Sequence, residues 1–291
     1  MAGNNAPEPA SQTQVPANMP KSILITGCSS GIGKYCATKL HETGWQVFAT
    51  ARKPEDIEVL ASLGIQSLYL DYEDSKSIED AFTKVMEKTG GRLDALFNNG
   101  AYAQAGAVED VPTDALRKQF EANFFGWHSL TRLAIPVMRN QGSGRLVHCS
   151  SILGLFPLRW RGAYVASKYA IEGLISTQRL ELRGSGIHVS LIEPGPIVSK
   201  ISANAIPHFE QNIDLENSVH QKLYRNYADK MKDDGGPNSF RLGPDAVYAK
   251  LIHALEAKRP RAHYPVTFPT HFMLAARRIL PQRLIDRLLV S

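Results

Sequence analysis

The stretch SILITGCSSGIG, residues 22–33, decides the fold that this sequence can adopt. Residues 22–25 form a short apolar run typical of a buried β-strand, and residues 34–43 have the amphipathic spacing of a helix. Glycines between a strand and a helix let the backbone approach a pyrophosphate, which the free N–H groups of the helix N-terminus then bind. We therefore predict a dinucleotide site here. The alternative is an ordinary turn that uses glycine for its positive φ.

Around this stretch the chain alternates short β-branched runs with amphipathic segments. Such alternation predicts an α/β fold, a single doubly wound (Rossmann) parallel sheet of about seven strands with helices on both faces. The ligand of such a fold binds outside the carboxyl ends of the strands. Strands are expected near 22–26, 45–50, 66–70, 93–97, 144–150, 187–193 and 263–267.

Composition favours one enzyme-sized domain. The 291 residues, 43% of them hydrophobic, can bury one large core, and we assign 21–291 to this domain after an unpacked tail at 1–20. No secretory signal or membrane-spanning run is recognisable, so we expect a cytoplasmic protein that starts at Met1 or Met19. The formal charge of +5 is spread along the chain, which argues against a nucleic-acid partner.

The cysteines and histidines give no sign of a metal or disulfide framework. Cys28, Cys36 and Cys149 lack CxxC spacing, and the nine histidines lack HExxH or paired-ligand spacing. We therefore expect reduced thiols and no bound metal.

A second pattern, Tyr164-Val165-Ala166-Ser167-Lys168, lies shortly after Ser151 and has the form of a proton relay. Positions four apart share one face of a helix, so the Lys168 ammonium is expected beside the Tyr164 phenol. A free tyrosine has a pKa of about 10, and lowering it to near neutrality takes roughly 4 kcal/mol, much of which a cation in a dry cleft can supply. This spacing also occurs by chance on surface helices. The pattern therefore indicates a catalytic site only because the glycine stretch is present in the same chain.

These motifs together resemble the compact, single-domain branch of the short-chain dehydrogenase/reductase family. The resemblance extends from about Lys21 to near Thr267, and within the family it is strongest to bacterial NADP-dependent aldehyde and carbonyl reductases and looser to retinol and 17β-hydroxysteroid dehydrogenases. One segment departs from the family, because Asn98-Asn99-Gly100-Ala101 replaces the usual Asn-Asn-Ala-Gly. The residues that carry the resemblance are TGCSSGIG at 26–33, NNG at 98–100, Asn123, Ser151, Tyr164, Lys168 and Pro194-Gly195-Pro196.

The resemblance implies an NADP-dependent oxidoreductase that transfers hydride between nicotinamide and a carbonyl or alcohol group of a small-molecule substrate. Tyr164 would be the general acid in reduction and the general base in oxidation, and Ser151 would donate to the substrate oxygen. Lys168 would lower the Tyr164 pKa and bind the nicotinamide ribose, and Asn123 would hold a water behind it. A homodimer or homotetramer, paired through the helices that carry Asn123 and Tyr164, is usual in the family. Cofactor contacts are implied for Gly27, Ser29, Ser30, Gly31, Ile32, Gly33, Arg52, Lys53, Asp71, Asn98, Gly100, Tyr164, Lys168, Pro194 and Ile197.

The end of the second strand separates enzymes that prefer NAD, which place a carboxylate there, from those that prefer NADP. This chain has Ala51 followed by Arg52 and Lys53, and an arginine can bind a 2′-phosphate through two hydrogen bonds. NADP is therefore expected, the alternative being that Arg52 and Lys53 form a solvated loop. Asp71 would accept from the adenine amino group, or it would only close the third strand as a turn residue.

Two later segments are assigned to the substrate and to the surface. Residues 199–240 are predicted to cap the substrate cleft, and their aromatic and apolar side chains favour an apolar substrate of medium to large size. Those side chains could equally serve only to pack the cap onto the body. Residues 271–290 alternate leucines with arginines as amphipathic helices do, which indicates packing on this protein or a sister subunit, or else contact with a membrane surface.

Two other functions use parts of the same motif set. A nucleotide-sugar epimerase or dehydratase also carries Tyr-x-x-x-Lys, but members of that kind are longer and space the glycine turn differently. A catalytically silent nucleotide sensor would have lost Ser151, Tyr164 or Lys168. All three residues are present, so an enzyme is the preferred interpretation.

Overall fold

The structure, a computed structural model, describes residues 20–232 and 240–290. The predicted tail, with Met1 and Met19, lies outside the described residues except for Pro20.

Seven strands form one parallel sheet in the described part of the chain, in the order β3-β2-β1-β4-β5-β6-β7. Leu24, near the middle of the first strand, lies between Phe48 on one neighbour and Leu96 on the other. The predicted doubly wound parallel sheet is confirmed, and the last strand ends earlier than predicted because Thr267 already begins a helix. The strands are β1 (Ser22–Ile25), β2 (Gln46–Ala51), β3 (Gln66–Tyr69), β4 (Ala95–Asn98), β5 (Gly144–Cys149), β6 (Ile187–Glu193) and β7 (His263–Pro265).

Helices connect the strands and cover the sheet. A π-helical turn (Glu121–Phe125) and a 3₁₀ turn (Ile152–Gly154) add to them near the site. The helices are α1 (Gly31–Glu42), α2 (Pro54–Ser62), α3 (Ser75–Thr89), α4 (Thr113–Phe120), α5 (Gly126–Gln141), α6 (Gly162–Glu181), α7 (Ile201–Asn212), α8 (Gln221–Lys232), α9 (Pro244–Glu256), α10 (Phe268–Ile279) and α11 (Gln282–Val290).

The strand order places a switch point between β1 and β4. From β1 the chain moves outward through β2 to β3, then returns to β4 and moves the other way to β7. Right-handed crossovers place helices on both faces of the sheet. Helix α1 packs against α9, which comes from the other half of the chain, and α3 packs against α5. The carboxyl ends of β1 and β4 diverge at this switch point, which is where a ligand binds in folds of this type.

Two helical additions follow the sheet core. The segment predicted to cap the cleft contains α7 and α8, which pack on each other. The C-terminal pair α10 and α11 is broken at Pro281 and packs through Met273 and Ile285 onto Phe156. Within the described residues, no helix combines the length and apolar character needed to cross a bilayer.

All three cysteines of the chain are buried, and none forms a disulfide. Burial raises the pKa of the Cys28 thiol to about 12 and that of Cys149 to about 11, and it raises the pKa of Cys36 well above its usual value. The thiols are therefore neutral at physiological pH.

Candidate active site

The glycine turn after β1 closes against the segment after β4 with no room for side chains. Gly27 has a φ of +68°, and a Cβ added there would lie 2.4 Å from the Gly100 Cα. A Cβ on Gly33 would lie 2.3 Å from the Gly27 carbonyl oxygen. Both distances are shorter than any van der Waals contact, so glycine is required at both positions. The result is a backbone-lined turn of the kind that a pyrophosphate needs for close approach.

The N-terminus of α1 is left open for an anion. Ser30 occupies its N-cap but makes no capping bond with its side chain, and the first turn of α1 contains no acidic residue. In contrast, the Asp74 side chain caps α3 by accepting from the Lys76 N–H at 3.0 Å. Free N–H groups at the positive end of a helix dipole bind phosphate, and the open α1 terminus fits the pyrophosphate of a dinucleotide.

Two residues that the sequence analysis did not single out hold this turn in place. The Asn99 amide donates to the carbonyls of Thr26 (3.0 Å) and Gly27 (3.2 Å). In return, the Thr26 hydroxyl accepts from the backbone N–H groups of Asn99 (2.9 Å) and Gly100 (3.1 Å). The signal available in the sequence was the pair of amide side chains directly after a buried strand.

Asn98, which the resemblance placed among the cofactor contacts, uses its side chain elsewhere. It is completely buried, accepts from the Tyr72 hydroxyl at 2.7 Å and donates to Thr131 at 3.0 Å. Its amide nitrogen also lies 3.2 Å from Nδ1 of His148. Burial lowers the pKa of His148 to about 3. The Asn98 side chain therefore links strands and helices beneath the site instead of facing the crevice.

The exchanged glycine and alanine at 100 and 101 are accommodated without strain. Ala101 has a negative φ, since Trp160 is the only non-glycine residue with positive φ in the described chain. Gly100 keeps its close approach to Gly27, and its carbonyl accepts from the Trp127 indole at 2.8 Å. The departure from the family pattern thus leaves the turn intact.

The structure brings Ser151, Tyr164 and Lys168 together at the carboxyl edge of the sheet. Ser151 follows β5, and the other two lie one turn apart on α6, with Tyr164 7% and Lys168 1% exposed. The Lys168 ammonium lies 5.6 Å from the centre of the Tyr164 ring and donates to the Cys149 carbonyl at 2.9 Å. It also lies 4.3 Å from the Trp127 ring centre, a cation–π contact that the sequence analysis missed.

Burial dominates the ionisation of this group. It raises the pKa of the Tyr164 hydroxyl above its usual value of 10 and outweighs the lowering by the Ser151 hydrogen bond and by Arg161. Burial also lowers the pKa of Lys168 to about 8. The lowering of the Tyr164 pKa that was expected from Lys168 is therefore not observed, and the phenol is neutral at physiological pH.

Asn123 lies in the π-helical turn between α4 and α5 and is completely buried. Its amide oxygen accepts from the Tyr102 N–H at 3.1 Å, and its amide nitrogen donates to the Tyr102 carbonyl at 2.9 Å and to the Ser167 hydroxyl at 3.2 Å. One lone pair of the oxygen is left for a further donor, so the water-holding role stays a prediction. π-Helical turns are frequent at functional sites.

The residues predicted to contact the adenosine part of the cofactor follow β2 and β3. Arg52 is exposed directly after β2, and Lys53 has a side chain 72% exposed with a loose ion pair to Glu55 at 3.9 Å. Asp71 accepts from the Glu73 N–H at 3.1 Å, as a turn residue does. Its second carboxylate oxygen leaves the adenine role open.

The remaining predicted contacts lie near the nicotinamide end and on the turn. The Pro194 carbonyl accepts from the Ile152 N–H at 2.8 Å, which ties the segment after β6 to the Ser151 turn. Ile197 pairs with Leu242 in an isolated bridge. Ser29 is exposed at the top of the turn, and Ile32 packs on the core beneath it.

Three residues of the cap and Trp160, which precedes α6, form an aromatic cluster with Tyr164. We define this aromatic cluster as Trp160, Phe209, Tyr224 and Tyr227. The Trp160 ring centre lies 5.1 Å from that of Tyr227, and Phe209 lies 5.2 Å from Tyr224. Tyr164 belongs to the same buried apolar group. Trp160 has a φ of +58°, a conformation that bulky residues rarely adopt and that concentrates at functional sites. Nothing in the local sequence marks that conformation.

Near Lys168 lies a partly buried group of polar side chains, Glu172, Glu193 and His263, that the sequence analysis also missed. Glu193, at the end of β6, accepts from Nδ1 of His263 at 2.6 Å, and a Glu172 oxygen lies 3.9 Å from the same nitrogen. Glu172 is one helical turn after Lys168. Burial raises its pKa to about 7, and burial likewise raises the pKa of Glu193. This group connects α6, β6 and β7 directly under the catalytic edge.

Comparison with known proteins places this geometry in a family. The family model for "short chain dehydrogenase" matches residues 21–208. An uncharacterized oxidoreductase of Escherichia coli, YbbO, is 40% identical over 272 residues, which are 93% of this chain and 94% of that one. The NADPH-dependent 1-acyldihydroxyacetone phosphate reductase of Schizosaccharomyces pombe is 34% identical over 202 residues, 69% of this chain and 68% of that one.

Solved structures agree with this placement. A short-chain dehydrogenase from Streptomyces avermitilis superimposes with a TM-score of 0.74 at 27% identity, and the match covers 89% of this chain and 93% of that one. The family model spans more than half of the chain and the E. coli relative matches 93% of it, so the chain belongs to the short-chain dehydrogenase family and is an oxidoreductase of that type.

Proposed function

We propose that this protein is an NADPH-dependent reductase of apolar aldehydes or ketones. The observation that carries the proposal is the convergence of Ser151, Tyr164 and Lys168 at the same sheet edge as the glycine turn. A bound nicotinamide would supply or accept the hydride. The protein's own groups would position the carbonyl and supply its proton.

The ionisation of the site favours reduction over oxidation. Burial keeps the Tyr164 phenol protonated, so it holds the proton that the carbonyl oxygen needs as hydride arrives. Ser151 would donate a second hydrogen bond to that oxygen and stabilise its developing negative charge. Lys168, with a pKa lowered to about 8, is mostly charged at pH 7 and would stabilise the phenolate left after proton transfer.

Charge at the end of β2 supports NADPH over NADH. No carboxylate follows Ala51, and the exposed Arg52 offers a planar cation to a 2′-phosphate. The S. pombe relative is NADPH-dependent by name, which agrees with this choice.

The aromatic cluster supports an apolar substrate. Phe209 and Tyr224 are buried in the same apolar group as Tyr164, and Trp160 and Tyr227 pack against that group. The S. pombe relative acts, by its name, on an acylated ketone. A carbonyl with an acyl-like chain is therefore the substrate class that we propose.

A homodimer or homotetramer is part of the proposal. Leu116 on α4, Phe125 between α4 and α5, and Tyr169 on α6 are large side chains that stay more than a third exposed. Their position on the helices that carry Asn123 and Tyr164 agrees with pairing through those helices.

The proposal is tested by NADPH consumption over a series of aliphatic, aromatic, retinoid and steroid carbonyls, repeated with NADH. Tyr164→Phe should lower kcat/KM for the best substrate by about 10²- to 10⁴-fold because the proton donor is lost. NADPH binding, followed by fluorescence titration, should change little. Tyr69→Phe, a change of a tyrosine on β3 that is 49% exposed, is the matched control and should behave as wild type.

Undiminished NADPH oxidation by Tyr164→Phe would overturn the assignment. Tight NADPH binding without turnover of any carbonyl would instead favour the silent sensor.

A further inference from the structure

The C-terminal helix α10 carries an apolar stripe that stays exposed among the residues that the structure describes. Phe268 is 63%, Phe272 49% and Ile279 78% exposed. At about 100° per residue these three positions fall within about 40° of one another on the helix, so they form one outward ridge. Met273 and Ala276 on the inward side are buried. Leu284 on α11 is a further apolar residue, 41% exposed, and we call these four residues the C-terminal apolar face.

Basic residues flank this face. Residues 268–290 contain Arg277, Arg278, Arg283 and Arg287 against the single acid Asp286, a net charge of +3 out of +5 for the whole chain. Arg278 and His271 both lie on the same side of the ridge by the same helical spacing. Arg277 is used internally, because it donates to the Leu155 carbonyl at 2.9 Å. The remaining arginines are available to an anionic partner.

The face is rigidly joined to the catalytic edge. The first turn of α10 packs on the segment after β6, where a Cβ on Gly195 would lie 2.0 Å from the Thr267 hydroxyl. Further along, Met273 and Ile285 pack on Phe156, which belongs to the turn that follows Ser151. The exposed Phe268 ring stacks on Phe240, at the end of the cap, with 5.6 Å between ring centres. The C-terminal apolar face therefore adjoins both the cap and the Ser151 turn.

We propose that this face docks the protein on the surface of an anionic phospholipid bilayer. The inference rests on the proposed function, because docking would bring the enzyme to a membrane-bound substrate that carries an acyl chain and a carbonyl group. Aromatic and aliphatic side chains beside arginines are what an interfacial helix presents to lipid, the apolar side to acyl chains and the guanidinium groups to phosphates. A second copy of the chain fits less well. Two-fold pairing would place this cationic region against itself, and like charges oppose each other there.

The test uses the full-length protein and sedimentation with vesicles. Wild type should sediment with vesicles that contain phosphatidylglycerol, at least about 10-fold more than with pure phosphatidylcholine, and salt should weaken this binding. Phe272→Ser with Ile279→Ser, and separately Arg278→Glu with Arg287→Glu, should each reduce binding about 10-fold. Leu180→Ser, on α6 and 64% exposed, is the matched control and should bind as wild type.

Two further measurements separate the outcomes. Light scattering after gel filtration reports the number of subunits, and a serine variant that changes it without changing vesicle binding would overturn the inference in favour of a second copy. Reduction of a short, water-soluble carbonyl should be equal in wild type and all variants. Wild type that fails to sediment with either vesicle overturns the bilayer inference whatever the activity, whereas vesicle binding without any carbonyl reduction overturns the proposed function alone.

Discussion

The glycine turn and the aromatic cluster beside Tyr164 are built in different ways. On the glycine-turn side, Gly27, Gly33 and Gly100 bring backbone against backbone, and a single added Cβ would overlap main-chain atoms. On the cap side, the aromatic cluster of Trp160, Phe209, Tyr224 and Tyr227 forms the wall from side chains that lie far apart in sequence. Backbone geometry tolerates almost no change, whereas a wall of side chains can be altered one ring at a time. The comparison indicates that cofactor binding is fixed by the fold and that substrate choice is adjustable.

The largest effect is expected from a methyl group on the glycine-turn side. Gly33→Ala should weaken NADPH binding by roughly 100-fold, because its Cβ would meet the Gly27 carbonyl oxygen at 2.3 Å and force the turn apart. Fluorescence titration measures this. Gly173→Ala, at a helical glycine with no atom within 4 Å of the added Cβ, is the control. A dissociation constant within about 3-fold of wild type for Gly33→Ala would break the comparison.

A charge on the same side should have a smaller and selective effect. Arg52→Ala should raise KM for NADPH by about 10- to 30-fold and change KM for NADH by less than about 3-fold, because only the 2′-phosphate loses a partner. Lys53→Ala is the neighbouring control and should change either value little, since Lys53 is 72% exposed and weakly paired. Equal losses for both cofactors would show that Arg52 acts on the fold and not on the phosphate.

On the cap side, Trp160→Gly should raise KM for a large apolar carbonyl by about 10-fold and leave NADPH binding unchanged. Trp160→Ala removes the same indole but keeps a Cβ in the left-handed conformation of φ +58°. The glycine variant should therefore be more stable than the alanine variant by about 1 kcal/mol, as measured by urea unfolding. Loss of NADPH binding in either variant would mean that the aromatic cluster also supports the cofactor site.

The smallest expected effect is a pH dependence of the free energy of unfolding that arises from Glu172. Burial raises the Glu172 pKa from 4.5 to about 7, so the folded protein holds a proton there that the unfolded chain has lost. This contribution is fully present below pH 4.5 and disappears as the pH rises through 7. Wild type should lose on the order of 1–3 kcal/mol across that range relative to Glu172→Gln, whose side chain stays neutral.

Urea unfolding at pH 5 and pH 8 compares the two proteins. Glu181→Gln, an exposed glutamate on the same helix, should follow the wild-type profile. A Glu172→Gln profile parallel to wild type would show that the Glu172 carboxyl does not titrate in this range.

Local sequence patterns could be predicted, whereas contacts between side chains distant in sequence could not. The seven strands, the glycine turn and the helical spacing of Tyr164 and Lys168 are local patterns, and the structure places them as expected. Contacts made by residues distant in sequence were not predictable, such as Trp127 over Lys168 or the Glu172, Glu193 and His263 group. Local spacing also fails to reveal whether burial or a nearby cation controls a pKa, which is why the direction for Tyr164 was wrong. The sequence also indicated no orientation for the Asn98 side chain, which contacts other residues than the side chain of Asn99 does. The cofactor contact at Asn98 stays a prediction.

The burial of all three cysteines has a consequence for the proposed reduction of aldehydes. Carbonyl compounds of this kind are electrophiles, and sulfur attacks them, or is oxidised, chiefly as the thiolate on an accessible side chain. Cys28 lies within the glycine turn itself, yet its neutral, enclosed sulfur presents no such nucleophile, and neither do Cys36 and Cys149. Under the proposed function, none of these sulfurs would add to a substrate carbonyl or be readily oxidised by peroxide.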